Sequence, residues 1–346
     1  MLAALRDPTS GARIVETRWS ALGRTDLVAF ADESGRAIFV DGGAGTTMLA
    51  LDAEYPPIER FQRDTAYLPF LAGPGGNVLI VGAGGGQDVV MALKAGWSPV
   101  TAIEVNPAAV DMVLRHADYN GDIYRRPGVE VVVDEARSSI RRSSQTFDMV
   151  YLSLVFTQAS ESLAYVLAES HVYTVEAFRD YLDVLEPGGW LALVLHDDAS
   201  LSKALATALR VLRERGTTAA DLARQVAVVR PPAQAGADPR AIVRPLLVIR
   251  RDPMTQAEAE RLVEQMTDLE LDPVYVPFTN ESGLVADLVT VPQAVDVSPD
   301  GRVLFVANAK DQTLSAISLK TGHLLAQPRV GALPIAVAAI PRRPAV

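Results

Sequence analysis

The sequence predicts an α/β fold in which a small antiparallel β domain precedes a doubly wound, mostly parallel sheet. Three observations lead to this prediction. A Gly-rich turn joins an apolar strand to a helix within Val78–Val90, the next apolar strand ends at Glu104, and strands alternate with helical segments up to about residue 280. Such alternation is typical of a parallel sheet whose two faces are covered by helices.

Residues 1–60 are predicted to form the small β domain. The segments RIVETRW, TDLVAFAD and RAIFVDG alternate apolar and polar residues, and turn signals containing glycine separate them. This pattern indicates antiparallel strands with one buried face. A helix at Glu59–Leu71 is expected to lead into the next domain.

Residues 61–285 are predicted to form the α/β domain. Its apolar runs are short and β-branched, as in buried parallel strands. Near its end, ARQVAVVR and RPLLVIRR are expected to pair as an antiparallel hairpin that ends the sheet. The predicted helices are Asp88–Ala95, Pro107–His116, Glu135–Arg142, Thr174–Leu185, Ser200–Arg215 and Thr255–Met266.

Residues 286–346 differ from the preceding domain because their predicted strands are not separated by helices. They contain three short predicted strands, and Pro292–Pro299 recurs in weakened form as Pro334–Pro341, an offset of 42 residues. A period of this length is typical of a β-propeller blade. We therefore expect a single propeller-like β repeat, which cannot bury both of its faces alone.

The Gly-rich turn carries the strongest functional signal. Its glycines allow the backbone to turn sharply and to approach a ligand closely, and the helix that follows directs its N-terminal N–H groups toward the same place. A carboxylate at Glu104 can accept both hydroxyls of a ribose, which predicts a nucleotide-type site. The alternative is a structural turn without a ligand. The glycines concerned are Gly82, Gly84, Gly85 and Gly86.

Composition limits the remaining functions. The net charge of −10 argues against nucleic acid as a partner, since phosphate binding needs a basic face. The absence of cysteine excludes disulfides, thiolate catalysis and cysteine-bound zinc, and no two histidines have metal-ligand spacing, so we expect no metal. No apolar run approaches the ~18 residues that span a bilayer. We therefore expect a cytoplasmic protein without a membrane segment.

The ordered motifs VETRWSALGRTDLV, FVDGGAGTTM, VLIVGAGGGQDVV, AIEVNPAAVD, RPGVEVVVDEAR, FDMVYLSL and VYTVEAFRDYLDVLEPGG resemble the spermidine synthase (polyamine aminopropyltransferase) superfamily over about residues 11–280. The resemblance implies a small N-terminal β domain and a class I methyltransferase-like Rossmann domain of seven strands, the last antiparallel. The tail resembles a YVTN-type β-propeller repeat through FVAN, Phe305–Asn308.

The resemblance also implies roles for single residues. It places the glycines of the turn beside the sulfonium of S-adenosylmethionine or its decarboxylated form, bound as a co-substrate, and it gives the ribose hydroxyls to Glu104. Glu135 and Ala136 occupy the place of the pair that recognises adenine. Ser153 stands at the end of the strand FDMVYLSL, where the family carries the first acid of an Asp-x-x-Asp.

This chain departs from the family at a polyamine-facing Gln and at several acids that transfer of an aminopropyl group needs. Gly85 stands where an Asp is expected, Ser153 and Phe156 replace the Asp-x-x-Asp, and Gly45 replaces a Gln. Asp88, one turn into the helix, is a weak candidate for the missing charge, with a role in helix capping as the alternative.

Ser153 is a second weak catalytic candidate, and Asp197 is a third, since it follows the strand WLALVL at the edge where α/β proteins bind ligands. The alternative for the segment His196–Asp198 is a solvated loop in which Asp198 or Ser200 caps the next helix. Tyr173 and His171, just before helix Thr174–Leu185, lie by family analogy near the acceptor pocket, or pack under the loop.

Three functions follow. The first is a spermidine synthase-like transferase of polyamine biosynthesis that passes an aminopropyl group to a small amine or another acceptor. The second is an S-adenosylmethionine-dependent methyltransferase. The absence of the acids favours it, because those acids would repel the carboxylate of S-adenosylmethionine. The third is a non-catalytic nucleoside-binding or scaffold protein. By resemblance only, we also expect a homodimer.

Overall fold

The computed structural model describes most of the chain, and its contacts define two compact units. The first comprises Met1–Gln62, Ala66–Val172 and Asp180–Leu191, and the second comprises Arg63–Thr65, Tyr173–Arg179 and Ala192–Val346. The predicted three-domain division stays a prediction. The described residues are 11–30, 35–52, 54–155, 172–232, 243–279, 292–298, 302–308, 313–318 and 324–330.

The first unit contains a small antiparallel sheet in the order β1-β2-β3-β4. Its strands are β1 (Arg13–Ser20), β2 (Gly23–Ala29), β3 (Arg36–Val40) and β4 (Ala44–Met48). The register pairs Leu27 with Ile38, and Ile38 with Thr46. Residues paired in this way share a face, and Leu27 and Ile38 are buried. Thr46 therefore stands on the buried face of this sheet. The antiparallel pairing of the four strands confirms the predicted small antiparallel sheet.

The same unit carries part of a large mixed sheet, in the order β9-β8-β5-β6-β7. Strand β5 runs parallel to β6 and β8, and β6 runs parallel to β7. Every residue of β5 is buried, as expected of a strand covered on both faces. The strands are β5 (Val78–Val81), β6 (Val100–Glu104), β7 (Val129–Val133), β8 (Phe147–Ser153) and β9 (Leu185–Val194), of which the first unit includes β9 up to Leu191.

The helices of the first unit begin where the sequence offers a cap or a proline. Asn106 caps one helix by accepting a hydrogen bond from the N–H of Ala108, and Pro107 follows it as the first helical residue. Glu135 caps another helix in the same way. The helices are α1 (Leu68–Ala72), α2 (Gln87–Lys94), α3 (Pro107–Arg115), α4 (Ala117–Asn120) and α5 (Ala136–Arg142).

The helix predicted at Glu59–Leu71 is wrong as a continuous element. The structure has a 3₁₀ turn at Ile58–Phe61 and then α1 from Leu68. Pro69 explains the break, because proline lacks a backbone N–H and fits only the first turn of a helix. A second 3₁₀ turn, Ile123–Arg125, lies between α4 and β7.

The second unit carries the antiparallel part of the large sheet, in the order β12-β10-β11-β9. Strand β10 is antiparallel to both β11 and β12, so the predicted hairpin is confirmed. Within the described residues the large sheet has eight strands rather than the predicted seven, since β12 adds a strand beyond β10. These elements are α7 (Asp198–Glu214), α8 (Ala219–Arg224), β10 (Val226–Arg230), β11 (Leu246–Arg250), α9 (Gln256–Asp268) and β12 (Asp272–Tyr275). Helix α6 (Val175–Asp183) is divided between the units.

The second unit also contains a separate antiparallel sheet near the end of the chain. Its order is β13-β14-β15-β16, with β13 (Pro292–Val297), β14 (Val303–Asn308), β15 (Thr313–Ser318) and β16 (Leu324–Ala326). One more strand is present than the sequence predicts. The recurrence at Pro334–Pro341 lies outside the described residues, and the propeller stays a prediction.

Candidate functional site

The Gly-rich turn lies at the carboxyl end of β5, directly before α2, as predicted from the sequence. Every backbone N–H group from residue 82 to residue 86 already donates a hydrogen bond within the chain. The bonds run from Gly82 and Ala83 to the oxygen of Ile103 (2.8 and 3.1 Å), from Gly84 to Oε2 of Glu104 (2.8 Å), from Gly85 to Oγ1 of Thr46 (3.0 Å) and from Gly86 to the oxygen of Ala83 (2.9 Å).

Strand β4 approaches the turn so closely that only glycine fits at two positions. A Cβ atom on Gly84 would lie 2.4 Å from Oγ1 of Thr46, and a Cβ atom on Gly85 would lie 2.2 Å from the backbone oxygen of Thr47. The second contact is with backbone, which cannot rotate away. The acid that the family carries at Gly85 therefore has no room in this structure.

Glu104 ends β6 and is almost completely buried beside the turn. Its Oε2 accepts the N–H of Gly84, and its Oε1 accepts the N–H of Asn106 at 2.8 Å. Burial raises the pKa of the carboxyl group, although hydrogen bonds from the backbone lower it in part. Each carboxylate oxygen has a further lone pair, so the group can still accept ribose hydroxyls. That role stays a prediction.

Tyr124 contacts the carbonyl group of Gly84, the residue whose N–H group Glu104 accepts. Its hydroxyl donates to the oxygen of Gly84 at 2.7 Å in a buried position. Burial, and then the charges of Glu104 and Asp88, raise the pKa of Tyr124 well above its usual value. The phenol therefore remains a hydrogen-bond donor.

Asp88 lies in the first turn of α2, whose N-cap is Gly86. The alternative role of Asp88 as the N-cap is therefore wrong.

Glu135 and Ala136 lie at the start of α5. The carboxylate of Glu135 accepts the N–H groups of Arg137 (3.0 Å) and Ser138 (2.8 Å). Burial raises the pKa of Glu135, but hydrogen bonds from Ser138 and the backbone N–H of Arg137 outweigh it, and the pKa lies below its ordinary value. The adenine contact stays a prediction, and it would have to share a carboxylate that already caps a helix.

Ser153 is the last residue of β8 and is half-buried. The parallel register places Leu152 beside Val81, so Ser153 stands next to the start of the Gly-rich turn. A Cβ atom on Gly82 would lie 3.2 Å from a methyl carbon of Val155, which shows that the chain after Ser153 passes close to the turn. Phe156 and His171 lie outside the described residues.

Asp197 belongs to the second unit, where it caps α7. Its carboxylate accepts the N–H of Ser200 at 2.8 Å, and the hydroxyl of Ser200 accepts the N–H of Asp197 at 3.1 Å. This is a capping box. The expectation that Asp198 or Ser200 is the cap is wrong, because Asp197 itself is the cap and Asp198 is the first helical residue.

Sequence reasoning missed three residues of the site: Thr46, Asn106 and Tyr124. Asn106 has a local signal, since an asparagine directly before a proline marks a helix start. Thr46 and Tyr124 contact the turn across 39 and 40 residues of sequence. No local pattern reports contacts over such separations.

Within the described residues, no group of three or more His, Cys, Asp or Glu side chains is placed to hold a metal ion. Among the helices in that part of the chain, none is both long and apolar enough to cross a membrane.

A family model described as "Methyltransferase domain" matches residues 79–193, about a third of the chain. The matched range begins in β5 and ends in β9, so it covers the turn and Glu104. It agrees with the observed mixed α/β sheet, and together they identify a methyltransferase-type fold in this region.

Three crystal structures are also similar to this chain. One is a spermidine synthase in complex with the transition state analogue AdoDATO (16% identity, TM-score 0.48, covering 71% of this chain and 75% of that chain). The others are a spermidine synthase from Thermotoga maritima (16%, 0.49, 71% and 75%) and a probable spermidine synthase from Corynebacterium glutamicum (19%, 0.49, 73% and 87%). At such identities and TM-scores, no residue role passes from these proteins to this chain.

Proposed function

We propose that this chain is a spermidine synthase-like transferase that binds an adenosyl sulfonium donor through the Gly-rich turn and Glu104. The supporting observation is the buried carboxylate of Glu104 beside a turn whose N–H groups are all bonded within the chain. A carboxylate suits the two hydroxyls of a ribose. The preferred ligand is thus a nucleoside.

The chemistry of such a donor is a displacement at the carbon attached to sulfur. The acceptor forms a bond to that carbon, the carbon–sulfur bond breaks, and its electron pair stays on sulfur, which leaves a neutral thioether. The residues described here hold the nucleoside, and positioning of this kind is a large part of catalysis in bimolecular transfer. A base that removes the proton of an attacking amine is not among the contacts described.

An aminopropyl group is our first candidate for the transferred group, by resemblance of the ordered motifs. It requires acids that hold the ammonium of decarboxylated S-adenosylmethionine. Asp88 lies in the first turn of α2, directly after the Gly-rich turn, which supports its role as a replacement acid. The acceptor would be a small amine.

A methyl group is the second candidate, and one observation favours it. The backbone of Thr47 occupies the space that an acidic side chain at residue 85 would need. Without that acid, the carboxylate of ordinary S-adenosylmethionine meets less repulsion. The methyltransferase match over residues 79–193 agrees with this candidate.

Isothermal titration of the purified chain with decarboxylated S-adenosylmethionine, S-adenosylmethionine and methylthioadenosine tests the proposal. A tenfold preference for the decarboxylated donor, about 1.4 kcal/mol, would support aminopropyl transfer. Equal or reversed preference would leave methyl transfer. Failure of all three to bind would reject the transferase and leave the scaffold hypothesis. The variant Glu104→Gln is the matched control, because a site that uses this carboxylate must lose affinity for every one of the three.

A further inference from the structure

Two threonines of the small sheet reach the predicted nucleoside site from the same face. Thr46 on β4 accepts the N–H of Gly85 at 3.0 Å. Thr25 on β2 is fully buried and accepts a hydrogen bond from Nδ2 of Asn106, also at 3.0 Å. The register pairs Thr25 with Val40 on β3, two residues from Ile38, the partner of Thr46. Both hydroxyls thus point to the side that packs on the rest of the first unit.

The two hydrogen bonds converge on one carboxylate. Asn106, held by Thr25, donates its backbone N–H to Oε1 of Glu104. Gly84, whose neighbour Gly85 is held by Thr46, donates its N–H to Oε2. Each oxygen of Glu104 is therefore fixed by a group that a threonine of the small sheet restrains.

We propose that Thr25 and Thr46 are positioning residues, which hold Glu104 and the Gly-rich turn in the arrangement that binds the ribose. This inference rests on the nucleoside site proposed above. A turn of several glycines has many accessible conformations, and ordering such a segment on binding costs affinity. Bonds that fix it beforehand remove that cost. The small sheet thus contributes to the binding site by fixing Glu104 and the turn.

The test replaces each hydroxyl with a methyl group, in Thr46→Val and Thr25→Val. We expect each variant to bind methylthioadenosine at least about tenfold more weakly by isothermal titration, and Thr46→Ser, which keeps the hydroxyl, to stay within about twofold of the wild type. The double variant should lose less than the product of the single losses, because both bonds act on one carboxylate. Thr207→Val is the control, since it removes a similar bond, from Oγ1 of Thr207 to the oxygen of Lys203 (2.9 Å), in the second unit.

A second readout needs no ligand. Hydrogen exchange of the amide of Gly85 should be at least about tenfold faster in Thr46→Val and unchanged in Thr207→Val, because only the first loses its acceptor. A purely structural role would lower stability without changing affinity at a temperature where the variant is folded. If Thr46→Val does not fold, Thr46→Ala removes the same hydroxyl with less crowding.

The outcomes separate the two proposals. Unchanged affinity in both valine variants overturns the positioning role while the nucleoside site stands. Failure of the wild type to bind methylthioadenosine and both sulfonium donors rejects the proposed function, and the exchange of the Gly85 amide then decides alone whether Thr46 fixes the turn. Unchanged exchange in Thr46→Val overturns the inference in either case.

Discussion

Replacing Gly85 by alanine tests whether β4, rather than a ligand, requires glycine in the turn. The new Cβ atom would lie 2.2 Å from the oxygen and 2.5 Å from the carbonyl carbon of Thr47, and 2.9 Å from the nitrogen of Met48. An ordinary contact begins at 3.4 Å, so the backbone of β4 must move by more than about 1 Å to relieve the overpacking.

The expected cost follows from the kind of atoms involved. Overpacking of a close-packed interior costs about 1–3 kcal/mol, and the upper end applies here because the crowding atoms belong to a paired backbone. A shift of β4 also weakens the bond from Gly85 to Thr46, worth about 1 kcal/mol. We therefore expect the free energy of unfolding of the first unit to fall by about 3 kcal/mol or more. Gly85→Asp, which restores the acid of the family, should cost at least as much.

Urea unfolding followed by tryptophan fluorescence measures this effect. Trp97 and Trp190 are buried in the first unit, while Trp19 is 75% exposed, so the signal reports the unit that contains Gly85. The control is Gly75→Ala, where φ is +77° and no atom lies within 4 Å, and only the left-handed backbone costs about 1–2 kcal/mol. If Gly85→Ala is no more destabilising than this control, the steric argument is refuted.

Three further predictions concern the acids. Because burial raises the pKa of Glu104, affinity for methylthioadenosine should decline as the pH falls, with a midpoint above the ordinary glutamate value, and Glu104→Gln should abolish this pH dependence in the same titrations. Glu135 has a lowered pKa, so its stabilising contribution is present above the usual glutamate pKa and is lost as the pH falls through the lower folded value; urea midpoints of the wild type and Glu135→Ala should converge in acid. Asp197→Ala should lower stability by about 1 kcal/mol through the lost cap and leave nucleoside affinity unchanged, and a loss of affinity would restore Asp197 as a site residue.

The parts of the fold that depend on local pattern could be predicted from the sequence. The strand, turn and helix from Val78 to Lys94 and the acid at the end of β6 lie where the sequence places them, because short apolar runs and glycines act locally. The helix predicted at Glu59–Leu71 is wrong because Pro69 fits only the first turn of a helix, so α1 begins at Leu68.

The site shows the limit of such reasoning more clearly. The sequence predicts that the glycines at 84 and 85 leave space for a ligand, but β4 fills the space beside both. Thr46 and Gly85 are distant in sequence and adjacent only after folding. The sequence identified the residues of the turn correctly but could not show which neighbour made glycine necessary there.

The hydrogen bonds around Glu104 bear on how a reaction cycle would end. Burial raises the pKa of Glu104, and the groups that oppose this effect and stabilise the carboxylate form are backbone N–H groups. A sulfonium donor carries a positive charge and its thioether product carries none. In the carboxylate form, we expect this buried charge to favour the incoming donor over the spent nucleoside, an attraction that salt screens little, so that the group proposed to hold the ribose would also help release of the product.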